Sequence, residues 1–346
     1  MSIAGRRVGP GSPCFVIAEA GVNHNGDLDR ARKMIDVAAD CGADAIKFQT
    51  FSADRLASPS APKAEYQVAT TGAAGSQHAM LKSLELSAAD HRDLQAHCRE
   101  RGILFLSTPF DEESADFLAS LDVPAFKISS GDLTNHPLIL HACGKGRPVI
   151  LSTGMASLDE VSSAAAVARG AGADFALLQC VSNYPADPAE VNLRVMQTYS
   201  EKFGVPVGYS DHTLGIAVPI AAVALGAAIL EKHFTLDRAL PGPDHAASLE
   251  PAELKAMMQA IRVAESAMGD GIKRPSPSEL PVRDIGRKSL HWRRDMAAGD
   301  VASAGDFIAL RPGTGIPPAC QSEFAGRVLA VAARAGALVL PGEFRR

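Results

Sequence analysis

The sequence has few aromatic residues, 5% of its 346, and no block of consecutive basic residues stands out. Nucleic-acid-binding proteins carry basic patches and often stack bases on aromatic rings, so both shortages argue against a nucleic-acid partner. Lys and Arg number 34 against 39 Asp and Glu, which gives a formal net charge of -5. The hydrophobic share of 47% is that of an ordinary globular protein with a sizeable core.

Paired cysteines and zinc-protease motifs are also missing. The six cysteines are scattered with no CxxC pair, and there is no HExxH, so neither a disulfide framework nor a structural or proteolytic zinc site is indicated. The first residues, MSIAGRRVGPGSP, lack the apolar core of a signal peptide. The apolar run 216–230 contains Gly226 and is too short to span a membrane. We therefore expect a cytoplasmic protein with no membrane partner.

Short apolar runs alternate with segments of helical periodicity over about 250 residues. Eight repeats of strand and helix are the pattern of a (β/α)8 TIM barrel, which we predict. A doubly wound open sheet is the alternative, although it usually has fewer strands and no GxGxxG follows the first run. The predicted strands are residues 14–21, 43–51, 102–110, 124–131, 148–154, 174–182, 205–212 and 227–234.

The chain is predicted to have two domains. Residues 1–270 form the barrel, and the long connection 52–86 is expected to cover its mouth as a lid or to contact a partner. Residues 271–285 carry three prolines and read as a linker. Residues 286–346 contain short strand-like runs broken by Gly and Asp, which predicts a small β-rich domain.

Polar residues stand at the carboxyl end of almost every predicted strand. A single one would most often be a hydrogen-bonded core group, but their coincidence at one end of a barrel indicates a catalytic mouth. They are Glu19; Lys47 and Gln49; Ser107 and Thr108; Lys127, Ser129 and Ser130; Ser152 and Thr153; Gln179 and Ser182; Ser210, Asp211 and His212; and Glu231, Lys232 and His233.

Lys47 and Lys127 follow apolar residues on the second and fourth strands. Buried amines require an anion or a lowered pKa, so with the surrounding serines they suggest a site for phosphate or carboxylate. The alternative is two surface lysines whose stems pack along the barrel.

His212 and His233 end the seventh and eighth strands, which are neighbours in a closed barrel. Two imidazoles there could bind one divalent metal and leave positions open for substrate. Alternatively, each ring only hydrogen-bonds a nearby carboxylate such as Asp211 or Glu231. The following GPDH, residues 242–245, either presents Asp244 to the mouth or is an ordinary turn.

At these residues the sequence resembles the sialic acid synthase family. The motifs AEAGVNHNGD, IKFQTF, FLSTPFD, FKISSGDLTN, VILSTGM, YSDHTLG, EKHFTLDRALPGPDH and RPGTGI occur in the family's order. Residues 286–344 resemble its antifreeze-like (SAF) domain. The resemblance implies a TIM barrel followed by that domain, in a domain-swapped homodimer. It also implies that phosphoenolpyruvate and water react with an N-acetylated amino sugar and release phosphate. We expect this sugar to be unphosphorylated N-acetylmannosamine, which would give N-acetylneuraminate.

The resemblance also implies residue roles. His212 and His233 match the ligands of a divalent metal, Mn²⁺ or Mg²⁺, and Glu19 and Asp244 match carboxylates near the reacting centre. Arg311 matches an SAF-domain arginine that reaches the partner subunit's site and touches the N-acetyl group. The remaining matches are to residues around phosphoenolpyruvate or the sugar: Lys47, Gln49, Thr108, Lys127, Ser130, Asp132, Ser152, Ser182, Tyr184 and Ser210. Ser182 and Asp132 stand where some members have asparagine and glutamate.

Other functions stay open at this point. Legionaminic and pseudaminic acid synthases share these motifs but use diacetamido sugars, and related enzymes accept a 6-phosphorylated sugar. A Schiff-base aldolase could use Lys47 or Lys127 as its nucleophile, since barrels host that chemistry as well. A non-catalytic carbohydrate- or ice-binding protein is the most remote alternative.

Overall fold

We analysed a computed structural model of the chain, which describes residues 1–345. Contacts divide the chain into two compact units, one formed by Met1–Gly269 and one that begins at Asp270. Each is described by itself. In residues 1–345 no helix combines the length and apolar character that a bilayer crossing requires.

The first unit is built around a parallel sheet whose strands follow the predicted runs. A short antiparallel hairpin, β1 (Ser2–Ile3) and β2 (Arg6–Arg7), precedes it. The order in the sheet is β5-β4-β3-β10-β9-β8-β7-β6, so the last strand pairs with the first, and β5 and β6 lie side by side. This confirms the predicted TIM-like barrel and excludes the doubly wound alternative. The strands are β3 (Phe15–Gly21), β4 (Ala45–Thr50), β5 (Leu104–Pro109), β6 (Phe126–Ile128), β7 (Val149–Ser152), β8 (Phe175–Cys180), β9 (Val207–Asp211) and β10 (Ile229–His233).

Helices connect the strands, and several begin at a side chain that caps them. Asp27, Ser87, Asp111 and Ser157 each accept a hydrogen bond from the amide three residues on, which satisfies a free amide of the first turn. The helices of this unit are α1 (Leu28–Asp40), α2 (Ala53–Leu56), α3 (Glu65–Thr71), α4 (Gln77–Lys82), α5 (Ala88–Arg101), α6 (Glu112–Ser120), α7 (His136–Cys143), α8 (Leu158–Gly170), α9 (Val195–Phe203), α10 (Ala217–Ala224) and α11 (Pro251–Met268).

Side-chain alternation sorts the strand residues into two cores. Phe15 and Ile17 belong to an inner core that fills the barrel, whereas Val16 and Ala18 pack in an outer core against the helices. The other strands alternate in the same way. Gly208 lies on the inner face, where an added Cβ would lie 2.1 Å from the Ile229 carbonyl oxygen, so only glycine fits there. The inner core fills the amino-terminal part of the barrel and leaves the carboxyl end to polar residues.

The second unit contains a β-hairpin and a small apolar core. The hairpin is formed by β11 (Ser289–Trp292) and β12 (Phe307–Leu310), which pair in antiparallel register. Its core surrounds the buried Trp292 and includes Phe307, Phe324 and Phe344. The unit also has α12 (Glu279–Gly286) and α13 (Gln321–Phe324). Helix α12 begins at Glu279, inside the predicted linker 271–285, so the second half of that segment is helical.

Candidate active site

The alternation that builds the inner core also selects the side chains at the barrel mouth. Ile17, Ala45 and Ile229 face inward, so the residues two positions later, Glu19, Lys47 and Glu231, do so as well. These side chains border a cavity of about 440 Å³. Most of the predicted site residues line it: Glu19, Lys47, Gln49, Thr108, Lys127, Ser130, Ser152, Ser182, Tyr184, Ser210, His212, His233 and Asp244.

Asp132 and Arg311 are the two remaining predicted residues. Asp132 is half-buried next to the lining residues Ser130 and Gly131, and its carboxylate accepts hydrogen bonds from Ser129 and Asn135. Arg311 belongs to the second unit, where its guanidinium donates to the Gly286 carbonyl oxygen. The proposed role of Arg311 in the site stays a prediction.

Four charged side chains meet at the floor of the cavity. Lys47 Nζ is 2.8 Å from Glu19 Oε2, and Glu231 Oε1 is 3.5 Å from Lys127 Nζ and 3.9 Å from Lys47 Nζ. None of the four side chains is more than 5% exposed. Buried charges persist only when they are paired, so this cluster is a charge-balanced pocket and not a set of surface lysines.

Burial and pairing shift the pKa values of this cluster in different directions. Burial raises the pKa of Glu19 to about 7, although Lys47 acts against the shift. Burial also acts to raise the pKa of Glu231, but the attraction of Lys127 and Lys47 outweighs it and holds that pKa low. For Lys127, burial dominates and lowers the pKa. The pKa of Lys47 is raised, because the charges of Glu19 and Glu231 outweigh its burial.

Hydroxyl groups surround a glycine near these amines. Ser130 Oγ accepts a hydrogen bond from the Gly154 amide at 2.9 Å. A Cβ on Gly154 would lie 2.2 Å from Ser182 Oγ, so the three residues enclose a space that only glycine leaves open. Among the described residues, the buried Ser152 Oγ has no hydrogen-bond partner. Free and close-set hydroxyls beside two amines are the groups that bind phosphate or carboxylate oxygens.

The two histidines face each other across the mouth. The ring centroids of His212 and His233 are 5.2 Å apart. His212 Nδ1 donates to the Val181 carbonyl oxygen at 2.6 Å, so Nε2 has a free lone pair when the ring is neutral. Burial acts to lower the pKa of His212, but Cys180 and the bond to Val181 outweigh it and raise that pKa. His233 Nδ1 is buried and has no hydrogen-bond partner within residues 1–345, and burial holds the pKa of this ring far below its usual value. The predicted alternative, in which carboxylates hold both rings, does not describe His212.

A divalent metal fits this pair of rings. Neutral imidazoles with free lone pairs are common metal ligands, and the orphaned His233 Nδ1 is the kind of buried atom that a ligand satisfies. Within residues 1–345, no three His, Cys, Asp or Glu side chains form a potential metal cluster. A metal held by His212 and His233 would keep its other positions for substrate, water or further ligands.

Asp244 is fixed in place by the first loop of the barrel. Asn25 donates to the Pro241 carbonyl oxygen at 2.7 Å, and Asn23 donates to Ser248 Oγ at 2.9 Å. Ser248 in turn donates to the Asp244 carbonyl oxygen. The Asp244 carboxylate lies 4.0 Å from His233 Nδ1, and burial raises its pKa to about 6. Asn23 and Asn25 of AEAGVNHNG thus hold the loop that carries Asp244.

Tyr184 packs against both histidines and joins them to the lid. Its ring centroid is 4.0 Å from that of His212 and 5.5 Å from that of His233. Tyr66 of α3 stacks on the other side of Tyr184 at 5.0 Å. Helices α2 to α4 form the connection 52–86, and their residues Tyr66, Gln67 and Met80 line the cavity. The sequence does not predict that Tyr66 lines the cavity, because no local pattern in the lid shows which of its residues face inward.

Some strand-end residues were wrongly expected to face the mouth. Ser107, Gln179, Asp211 and Lys232 lie one position away from inward-facing residues, so alternation turns them toward the helices. Gln179, for example, donates to the Val191 carbonyl oxygen. Conversely, Glu231 and Cys180 line the cavity but were assigned no role. Their position two residues after inward-facing Ile229 and Leu178 would have identified both.

The chain matches two family models. One, described as the NeuB family, covers residues 34–273, and the other, the SAF domain, covers residues 287–345. The N,N'-diacetyllegionaminic acid synthase of Legionella pneumophila is 49% identical over 96% of this chain and 95% of its own length. That of Campylobacter jejuni is 48% identical over 91% of this chain and 95% of its own.

A solved relative has the same fold. The crystal structure of N-acetylneuraminic acid (sialic acid) synthetase from Leptospira borgpetersenii matches with a TM-score of 0.73 at 37% identity. The match covers 82% of this chain and 94% of that one. These findings confirm the resemblance drawn from the strand-end motifs. The chain belongs to the NeuB family of sialic and legionaminic acid synthases, enzymes in which a TIM-like barrel is followed by an SAF domain.

Proposed function

We propose that this enzyme joins phosphoenolpyruvate to a diacetamido hexose and forms N,N'-diacetyllegionaminic acid. The main support is the identity of 49% and 48% to two synthases of that product over nearly the whole chain. The solved N-acetylneuraminic acid synthetase is 37% identical. N-acetylmannosamine, which the motifs alone favour, is therefore the second candidate substrate, and a pseudaminic-type sugar is another.

The floor of the cavity suits phosphoenolpyruvate, which carries a carboxylate and a phosphate. Lys47 and Lys127 supply two positive charges, and the hydroxyls around Gly154 supply donors. The bound anion would compete with Glu231 for Lys127, whose pKa burial lowers in the free enzyme. Binding would therefore favour the charged form of that amine. Thr108 accepts a hydrogen bond from Lys47 at 2.8 Å and fixes the direction of that amine.

The histidine pair would receive the aldehyde end of the open-chain sugar. His212 and His233 would hold the divalent ion, Mn²⁺ or Mg²⁺, which supplies Lewis-acid polarisation of a carbonyl oxygen. Tyr184 packs on both rings and limits the space beside them. Tyr66 and Gln67 lie on the lid side, so the distal part of the sugar, with its second acetamido group, would extend toward them.

In the reaction, carbon 3 of phosphoenolpyruvate forms a bond to the aldehyde carbon as the double bond between carbons 2 and 3 breaks, which leaves an alkoxide and an electron-deficient carbon 2. Water adds to carbon 2 and loses one proton, which balances the proton that the alkoxide takes up to become a hydroxyl. The remaining hydroxyl on carbon 2 then becomes a carbonyl as the bond to the phosphate oxygen breaks, and its proton leaves with inorganic phosphate. A carboxylate must accept the proton of that water. Glu19 and Asp244 both line the cavity, and burial raises their pKa values to about 7 and about 6, which suits a base working near neutrality.

The subunit arrangement is also a proposal. By family resemblance the enzyme would be a domain-swapped homodimer in which Arg311 of one subunit contacts the N-acetyl group in the partner's cavity. Arg311→Ala should then raise the KM for the sugar more than that for phosphoenolpyruvate. Equal KM values for both substrates in variant and wild type would refute the contact.

The decisive assay is phosphate release from phosphoenolpyruvate with each candidate sugar. We expect the highest kcat/KM with a 2,4-diacetamido hexose and a lower one with N-acetylmannosamine or its 6-phosphate. Preference for N-acetylmannosamine would return the assignment to N-acetylneuraminate synthase. Chelation should abolish release, and added Mn²⁺ or Mg²⁺ should restore it; full activity in chelator would refute the metal.

The Schiff-base alternative makes a different prediction. The pKa of Lys127 is lowered by burial, as an amine nucleophile requires, so this residue remains compatible with Schiff-base chemistry. Borohydride added during turnover would trap a covalent adduct on the enzyme if that chemistry operated. We expect no adduct, because phosphate release in the proposed reaction passes through no imine.

A further inference from the structure

We infer that Asp211 and Lys232 form a brace behind the barrel wall that sets the distance between His212 and His233. Asp211 and Lys232 are directly opposite one another in the β9–β10 ladder, and Lys232 Nζ lies 2.6 Å from Asp211 Oδ2. Each of them immediately precedes one of the two histidines in the chain. The brace faces the helices, whereas the histidines face the cavity.

The brace also fixes the backbone on both sides of His212. Asp211 accepts hydrogen bonds from the Thr213 amide at 2.9 Å and from the Thr213 hydroxyl at 3.2 Å. Lys232 donates to the Thr213 carbonyl oxygen, and Tyr209 donates its hydroxyl to Asp211 at 2.9 Å. His212 therefore lies between two residues that are tied to each other and to β10. Its own ring is fixed by the Val181 carbonyl oxygen.

Stability does not explain why this pair is charged. Both side chains are completely enclosed, with 0% exposure. Withdrawing two charges from water costs several kcal/mol per ion, and well-packed apolar residues are commonly as good or better for stability. A fully hydrogen-bonded ion pair does, however, specify direction and distance more strictly than apolar packing. Because Asp211 and Lys232 each precede a histidine by one residue, a fixed distance between them would also fix the distance between the two imidazoles.

The brace is tested by separating its effect on the rings from its effect on folding. Lys232→Met leaves Asp211 buried and unpaired, whereas Lys232→Met combined with Asp211→Leu replaces the pair with apolar residues. The control is Arg262→Met, which removes a cation that lies 3.3 Å from Asp44. Asp44 directly precedes β4, at the end of the strand away from the cavity. Folding is followed by thermal unfolding of each full-length protein.

The first readout is the ring nitrogen and proton NMR signals of histidines in metal-free protein. The second is Mn²⁺ affinity by electron paramagnetic resonance, which rests on the proposed function. We expect the double variant to recover the unfolding temperature lost in the single one. Its His212 and His233 signals should still be shifted, and its Mn²⁺ affinity should be about 10-fold or more below that of wild type.

The Arg262→Met control should show the histidine ring NMR signals and the Mn²⁺ affinity of the wild-type protein. Unchanged ring signals in the double variant would overturn the brace. If wild-type protein binds no Mn²⁺, the metal proposal fails, but the ring signals still decide whether the brace positions the histidines.

Discussion

Glu231 is shared by the two buried amines of the cavity, at 3.5 Å from Lys127 and 3.9 Å from Lys47. Lys47 has a second partner in Glu19, but Lys127 has no other carboxylate within 4 Å in the described residues. Glu231 is therefore the group that permits Lys127 to carry charge in the free enzyme. Phosphoenolpyruvate, as a polyanion, could take over that function when it binds.

Glu231→Gln should lower the free energy of unfolding of the substrate-free enzyme and increase the stabilisation that bound phosphoenolpyruvate provides. Removing one partner of a buried pair typically costs about 3 kcal/mol, because the other charge is left uncompensated. Bound substrate would supply the missing negative charge and recover part of this loss. Thermal unfolding with and without phosphoenolpyruvate measures both effects. A smaller substrate-induced shift in the variant than in wild type would contradict the proposed anion site.

Tyr66 should contribute to sugar binding through its stacking on Tyr184, 5.0 Å away. Aromatic pairs contribute about 0.5–1.5 kcal/mol beyond burial, so Tyr66→Ala should raise the sugar KM roughly 2- to 10-fold. Tyr66→Phe keeps the stack and should behave like wild type. The phosphoenolpyruvate KM should change little in either variant, because Tyr66 belongs to the lid side. Equal rises in both KM values would indicate general disruption and refute a role limited to the sugar.

His24 should make the protein less stable in acid. Burial lowers its pKa from 6.5 to about 4, so between these values the unfolded chain binds a proton that the folded protein does not. By linkage, its contribution to the unfolding free energy is present above pH 6.5 and is lost as the pH falls toward 4. The loss should be roughly 3 kcal/mol, at ~1.4 kcal/mol per pKa unit.

The test measures the unfolding free energy of wild type and of His24→Asn at a series of pH values. Asn is chosen because its side-chain oxygen can still accept a hydrogen bond from the Gly26 amide, as His24 Nδ1 does at 3.0 Å. The difference in unfolding free energy between wild type and variant should shrink between pH 7 and pH 4. Parallel curves for the two proteins would show that His24 does not titrate as proposed.

The barrel and most of its mouth were predictable because strand patterns are local. Apolar runs identify the strands, and alternation then determines which end residues face inward, as for Lys47 and Lys127. The same rule, applied strictly, would have turned Asp211 and Lys232 toward the helices and given Glu231 a role. Tyr66 was not predictable, because its position depends on how three short lid helices fold over distant strands. Likewise, the motif that contains Asp132 does not reveal that its carboxylate accepts local hydrogen bonds from Ser129 and Asn135.

Gly154 provides a direct test of the hydroxyl cradle. An alanine Cβ there would lie 2.2 Å from Ser182 Oγ and 2.9 Å from Ser130 Oγ, so both serines would have to move. Their hydroxyls are the donors proposed for the anion, and a displaced donor loses most of its hydrogen-bond energy, about 1.5–3 kcal/mol to a charged group. Gly154→Ala should therefore raise the phosphoenolpyruvate KM by about 10-fold or more, measured by phosphate release.

Gly170→Ala is the matched control, because the same added methyl at the end of α8 meets no atom of the described part of the chain within 4 Å. It should leave the KM of both substrates unchanged. If Gly154→Ala kept a wild-type KM for phosphoenolpyruvate, the serines around it could not be the anion's donors. The site would then have to hold phosphoenolpyruvate through Lys47, Lys127 and the hydroxyls that Gly154→Ala leaves in place, such as that of Ser152.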